Sequence, residues 1–231
     1  KLFLGSSTGN MLVDDPEVLA SIFKKTKLVI SVHCEDESTI KENLKKQKEI
    51  YGDDIPISLH PVIRSEEACY LSSSKAIQLA KKQGARLHVF HLSTAKETKL
   101  FQAQSDVTKK NITAEVCIHH LWFSDEDYDR LGTKIKWNPA VKSVDDRSGL
   151  RQALLDDRID VIATDHAPHT RQEKDNYYTS APSGGPLVQH ALVALIELYH
   201  QGVLSLEQIV EKFAHNPARL FDVKDRGFAR T

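Results

Sequence analysis

Asp160-Val161-Ile162-Ala163-Thr164-Asp165 is a short run of largely apolar residues that ends on a carboxylate. Its length and branched side chains read as a strand buried on both faces, the usual state of a strand in a parallel sheet. An unpartnered carboxylate at the end of such a strand is costly, so Asp165 is a candidate metal ligand that also handles protons. A helix cap or a salt bridge is the ordinary alternative. Two other runs end in the same way, Leu28-Val29-Ile30-Ser31-Val32-His33 and Leu87-His88-Val89-Phe90-His91. A neutral imidazole is a good zinc ligand at about 2.0 to 2.1 Å, although a single strand-end histidine is more often bonded to a backbone carbonyl. Strands that each deliver one such group at the carboxyl end can aim all of them at one point.

Outward from these runs, short apolar stretches alternate with amphipathic ones, the pattern of βα units around a parallel sheet. Strands are expected at 1–4, 27–33, 86–91, 112–117 and 159–165, with a weaker one at 135–138. Asp15-Pro16 supplies a cap and a first-turn proline for a helix whose face is Val18, Leu19, Ile22 and Phe23. Thr94 opens a capping box three residues past His91, Ser124, Ser143 and Ser205 cap later helices, and Gly132 suits a helix stop. Residues 186–199 read as one long, mostly buried helix. A complete (β/α)8 barrel needs eight units and about 250 residues. The expected fold is therefore α/β, a partial TIM-type barrel comprising roughly its C-terminal half, with the chemistry in loops at the strand ends. Residues 1–215 are assigned to the barrel and 216–231 to an exit helix and the start of a segment leading to a C-terminal β-rich region. A sequence that opens on Lys1 and directly enters an apolar run reads as a segment of a longer protein.

Composition narrows the partners. The 231 residues carry 31 basic and 32 acidic side chains spread along the chain, a net charge of -1, which lacks the electrostatic footprint of a nucleic-acid binder. No apolar run is long enough to span a bilayer. Three cysteines without CxxC spacing point to a reducing compartment, hence a cytoplasmic protein. A small neutral or anionic substrate remains open. Alternation along its strand turns His166 away from Asp165, whereas His169 lies in a loop that can reach a ligand. Asn138, before Pro139, is a binding candidate whose commoner role is a turn residue. Glu115 and the pair His119-His120 are expected to support neighbouring groups, and Cys34 and Cys117 to pack as small hydrophobes.

The stretches Lys1-Leu2-Phe3-Leu4, Val32-His33-Cys34-Glu35, His88-Val89-Phe90-His91-Leu92-Ser93-Thr94, Glu115 to Leu121, Asn138-Pro139 and Ala163-Thr164-Asp165-His166-Ala167-Pro168-His169-Thr170 together resemble the dihydroorotase family of the amidohydrolase superfamily. The likeness runs in order over nearly the whole chain, and Asp-His-Ala-Pro-His is its most specific element. It implies a metal-dependent amidohydrolase in which His33 and His91 hold one zinc and Asp165 holds a second while acting as general acid and base. Lys1 falls where many members carry a lysine whose carbamate bridges the two ions. Asn138, His169, Ser183 and Gly184 fall on substrate-binding positions, and Ser7 and Thr8 in a loop that covers bound substrate. Cys117-Ile118 replaces a commoner Thr-Pro, Lys142 stands where an arginine often sits, and the family's His-x-His pair is absent from these residues.

The resemblance implies reversible, zinc-dependent cyclisation of N-carbamoyl-L-aspartate to L-dihydroorotate in pyrimidine biosynthesis, with a small-molecule substrate and a homo-oligomer as an open possibility. Two other readings stay open: a related cyclic amidohydrolase of allantoinase or dihydropyrimidinase type, and an inactive amidohydrolase-like scaffold. The segment alone is expected to bind metal weakly and to be inactive.

Overall fold

The computed structural model describes residues 1–5, 12–13 and 15–229. Five strands form one parallel sheet in chain order: β1 Leu2–Phe3, β2 Ile30–His33, β3 Leu87–Val89, β4 Ile112–Cys117 and β5 Val161–Ala163. Helical segments join them: α1 Pro16–Lys25 after β1, α2 Glu37–Tyr51 and α3 Glu66–Gln83 after β2, the single turn α4 Ala95–Thr98 after β3, α5 Val144–Leu155 after β4 and α6 Ala191–His200 after β5. This is part of a (β/α)8 barrel.

The register explains how the sheet separates core from site. Ser31 pairs with His88, His88 with Thr113, and Glu115 with Val161. Because partners across parallel strands share a face and successive residues alternate, Ile30, Val32, Leu87, Val89, Ala114, Val116 and Ile162 all project to one side. They join Phe23, Ala76, Ile77, Ala80, Leu150 and Leu154 from the helices in the main hydrophobic core. The opposite face, a barrel's interior, carries Ser31, His33, His88, Thr113 and Glu115.

Local signals place the helices. The Asp15 carboxylate accepts from the Glu17 and Val18 amides and Pro16 occupies the first turn of α1. Ser143 caps α5, and Thr94 caps α4 directly behind β3. Gly132 ends the helix Tyr128–Leu131 with φ of 59°, a conformation without steric cost only for glycine. At the amino-terminal end of the sheet, the buried Lys110 ammonium contacts Asp160 at 2.7 Å, and Asp160 also accepts from the Ala114 amide at 2.9 Å. These contacts tie β4 to the start of β5.

Two expectations need correction. Residues 135–138 form no strand: β4 bonds directly to β5, which leaves no place in the sheet for the chain between them. That chain turns through a 3-10 segment, Gly132–Ile135, into the cis peptide Asn138-Pro139. The helix expected over 186–199 is shorter and less buried. It begins at Ala191, buries only Ala191, Leu195 and Leu198, and exposes Leu192, Val193, Ile196 and Tyr199. Hydropathy marked the segment as apolar but could not say which apolar face found a partner. Among the described residues no helix is long and apolar enough to cross a membrane.

Candidate active site

His33 closes β2 and His91 follows β3 by two residues, so neighbouring strands deliver them to the same end of the sheet. His33 Nδ1 and His91 Nε2 are 3.0 Å apart, and both side chains are buried. The backbone contributes to this meeting. His91 has φ of 38° and Asp165, two residues past β5, has φ of 45°, left-handed values that turn each residue out of strand alternation. Such conformations cost free energy in non-glycine residues and concentrate at functional sites.

Glu35 fixes the proton on His33. Its Oε2 lies 2.9 Å from His33 Nε2 and also accepts from the Arg64 guanidinium. Burial alone would raise the Glu35 carboxyl, but Arg64 and then the hydrogen bond from His33 hold it well below the usual carboxylate range. A carboxylate only accepts, so His33 keeps its proton on Nε2 and turns Nδ1 toward His91. Burial, then the neighbouring His33, pushes His91 down to about 4, so its ring is neutral near pH 7. Its Nδ1 is buried without a partner among the described residues.

Two ligand nitrogens of one tetrahedral zinc lie about 3.3 Å apart when each metal bond is about 2.0 to 2.1 Å. The 3.0 Å pair therefore has the chemistry and spacing of two such donors. Among the described residues no group of three or more His, Cys, Asp or Glu side chains is arranged around one point. Asp165 is near enough to favour the charged form of His91 electrostatically, but it does not complete a three-donor group. Lys1 is exposed, with Nζ 4.8 Å from the Phe3 ring centre and 5.0 Å from that of Phe90. The residues thus fit half of a metal site, with further donors required to close it.

The remaining candidates gather beside the pair Asn138 and Ser183. Asn138 Oδ1 accepts from the Ser183 hydroxyl at 3.0 Å, and His169 Nε2 donates to the Ser183 carbonyl at 3.2 Å. Gly184 has φ of 130°, and a Cβ there would stand 2.6 Å from the Ala167 carbonyl oxygen, so only glycine fits. Ser7 and Thr8 lie outside the described residues. His166 is exposed and its Nδ1 accepts from the Val188 amide at 3.1 Å.

Buried polar groups complete the surroundings. His88 bridges Thr113 Oγ1 at 2.8 Å and Glu115 Oε2 at 3.0 Å, which gives Glu115 its histidine partner. His119 stacks on Trp137 at 4.4 Å, and His120 Nε2 donates to the Pro139 carbonyl. Cys34 and Cys117 are buried, and burial pushes both thiols up. Lys142 Nζ contacts Ser93 Oγ and the Ala140 carbonyl, each at 3.2 Å. Glu35, Arg64, Lys136 and Lys174 had no assigned role from the sequence. Only Glu35 carried a signal, two residues after His33 on an extended chain and so on the same side.

The fold and the strand-end histidines define a partial barrel of the amidohydrolase class. Of solved structures, L-hydantoinase (dihydropyrimidinase) from Arthrobacter aurescens superposes with a TM-score of 0.89 at 25% identity, covering 99% of this chain and 52% of that one. A D-hydantoinase from Bacillus sp. AR9 gives 0.85 at 25% identity, covering 98% and 51%. By sequence the chain groups with the dihydroorotases. It is 34% identical to that of Halobacterium salinarum over 98% of its own length, 31% to that of Methanosarcina acetivorans over 98%, and 32% to that of Clostridium acetobutylicum over 97%. The chain spans about half the length of these curated relatives, 51%, 49% and 52% respectively. No protein-family model matches it.

Proposed function

We infer that this chain is the part of a dihydroorotase that supplies His33, His91 and Asp165, and that the whole protein interconverts N-carbamoyl-L-aspartate and L-dihydroorotate in pyrimidine biosynthesis in the cytoplasm. The observation that carries this reading is the convergence of His33 and His91 within a sequence 34% identical to a dihydroorotase over 98% of the chain.

His33 Nδ1 and His91 Nε2 would hold one zinc ion. Lys1, as a carbamate, and Asp165 would serve a second. Zinc in such a site supplies an activated water near neutral pH and polarises a carbonyl. Asp165 would take up a proton on its carboxylate as the ring amide opens and deliver it to the departing ring nitrogen. His169 and Asn138 would orient the substrate beside the Ser183-Gly184 segment. Glu35 keeps His33 in the tautomer that offers Nδ1.

The test compares dihydroorotate, dihydrouracil, hydantoin and allantoin as substrates of the longest protein that carries this sequence. Preferential turnover of dihydroorotate supports the assignment. Faster opening of hydantoin or dihydrouracil replaces it with the reading favoured by the hydantoinase superpositions. A protein that binds zinc without turnover of any substrate is a scaffold.

A further inference from the structure

We propose that Lys174, together with Lys136, is a positioning device that folds the Ser183-Gly184 segment against Asn138. The proposal rests on the substrate-binding reading of that segment and deepens it. Lys174 ends the short helix Arg171–Lys174, which begins two residues after His169 and is fixed by a capping box between Thr170 and Glu173. Its ammonium is buried and donates to three carbonyls, those of Lys136 at 3.1 Å, Pro182 at 2.9 Å and Gly184 at 2.9 Å. His169 takes the carbonyl between the last two, that of Ser183. Three successive carbonyls of the loop are thus held by two side chains from one short stretch, residues 169–174.

Lys136 extends the arrangement upstream, donating to the carbonyls of Tyr178 and Ala181 at 2.6 Å each. Its own carbonyl receives both Lys174 Nζ and the Gly184 amide, the latter at 2.9 Å. The two ammonium groups and His169 therefore bind the carbonyls of residues 178, 181, 182, 183 and 184. The C=O and N–H of a trans peptide point in opposite directions. Drawing the Pro182 carbonyl to Lys174 sends the Ser183 amide the other way, and the same contacts tie the loop to the chain two residues before Asn138. A loop so rich in inward carbonyls has no helix or sheet ladder to satisfy it, and charged donors replace one. A salt bridge would be the usual fate of a buried lysine. Here all the acceptors of Lys174 are backbone, which ties its position to loop geometry.

K174M keeps the length of the side chain and removes the donor. Two measurements on it separate this proposal from the functional reading. Amide hydrogen exchange on this chain should accelerate by about tenfold or more at residues 178–185, the scale of losing one charged hydrogen bond, with amides of the five strands unchanged. In the longest protein carrying the chain, KM for dihydroorotate should rise about tenfold while kcat changes less than about threefold. K136M should produce the same exchange pattern, shifted toward residues 178–181. Unchanged exchange in the loop of both variants overturns the proposal, and so does uniform acceleration across loop and strands, which would mean a general loss of stability. If wild-type protein shows no turnover, the dihydroorotase reading fails, and the exchange result alone decides the role of Lys174.

Discussion

His33 Nδ1 faces His91 Nε2 across 3.0 Å although 58 residues separate them in the chain. The contact follows from two adjacent parallel strands, a left-handed φ at His91 and a carboxylate behind His33. It brings two imidazole nitrogens to one point, and it gives the chain measurable properties.

Because the pair supplies two of the four donors a zinc ion takes, the isolated chain should bind zinc weakly and catalyse nothing. Titration calorimetry on the chain, on H33A and on H91A tests this. Either substitution should lower affinity by at least about tenfold, and full activity from the isolated chain would contradict the half-site description.

Glu35→Gln removes the charge that sets the His33 proton and faces Arg64. Zinc affinity should fall by about 10- to 100-fold, as for other partners that orient a metal-bound histidine. Breaking a buried ion pair from one side should also cost stability on the order of 3 kcal/mol in urea unfolding. Unaltered zinc affinity in a folded E35Q would show that Glu35 does not prepare His33.

The metal-free chain should lose stability on mild acidification. Burial is the leading cause that lowers His60, His91, His119 and His120, with His91 reaching about 4 and His120 about 3. In the unfolded chain an imidazole takes its proton near 6.5. Between about 6.5 and 4 the unfolded state therefore binds more protons, so stability rises with pH across that window and is lost as pH falls through it. Each such histidine contributes a slope of up to about 1.4 kcal/mol per pH unit. Urea midpoints at pH 7, 6 and 5 measure it, and equal midpoints would mean that these rings are not buried neutral.

Gly149→Ala probes packing away from the site. Its Cβ would stand 2.4 Å from Ala95 Cβ, where α5 meets α4. Overpacking of this kind costs about 1 to 3 kcal/mol. Thermal unfolding should detect the loss while zinc affinity stays within about threefold. A large drop in affinity instead would show that the α4–α5 contact is coupled to His91 through the short loop that joins it to α4.

Helix starts were legible because their signals are local: Asp15, Thr94 and Ser143 each bond an amide within three residues. Strand positions followed from apolar runs, and the buried face of the sheet from period-two alternation. The weak strand at 135–138 failed because pairing is a property of neighbours. Its place beside β4 is taken by β5. The exposed face of α6 failed for a related reason, since hydropathy reports what a face prefers but not whether anything covers it.

By itself, the sequence determined that metal-competent side chains would stand at the carboxyl ends of parallel strands, because a strand's length, its burial on both faces and the residues that follow it are all written within a few consecutive positions. The tertiary structure alone decided which groups stand behind and beside them. Glu35 with Arg64 and Lys174 with the carbonyls of Pro182 and Gly184 are joined by contacts whose direction depends on backbone turns and packing. No local pattern encodes where a flexible lysine or arginine will find its acceptor, because that acceptor is positioned by chain folded elsewhere.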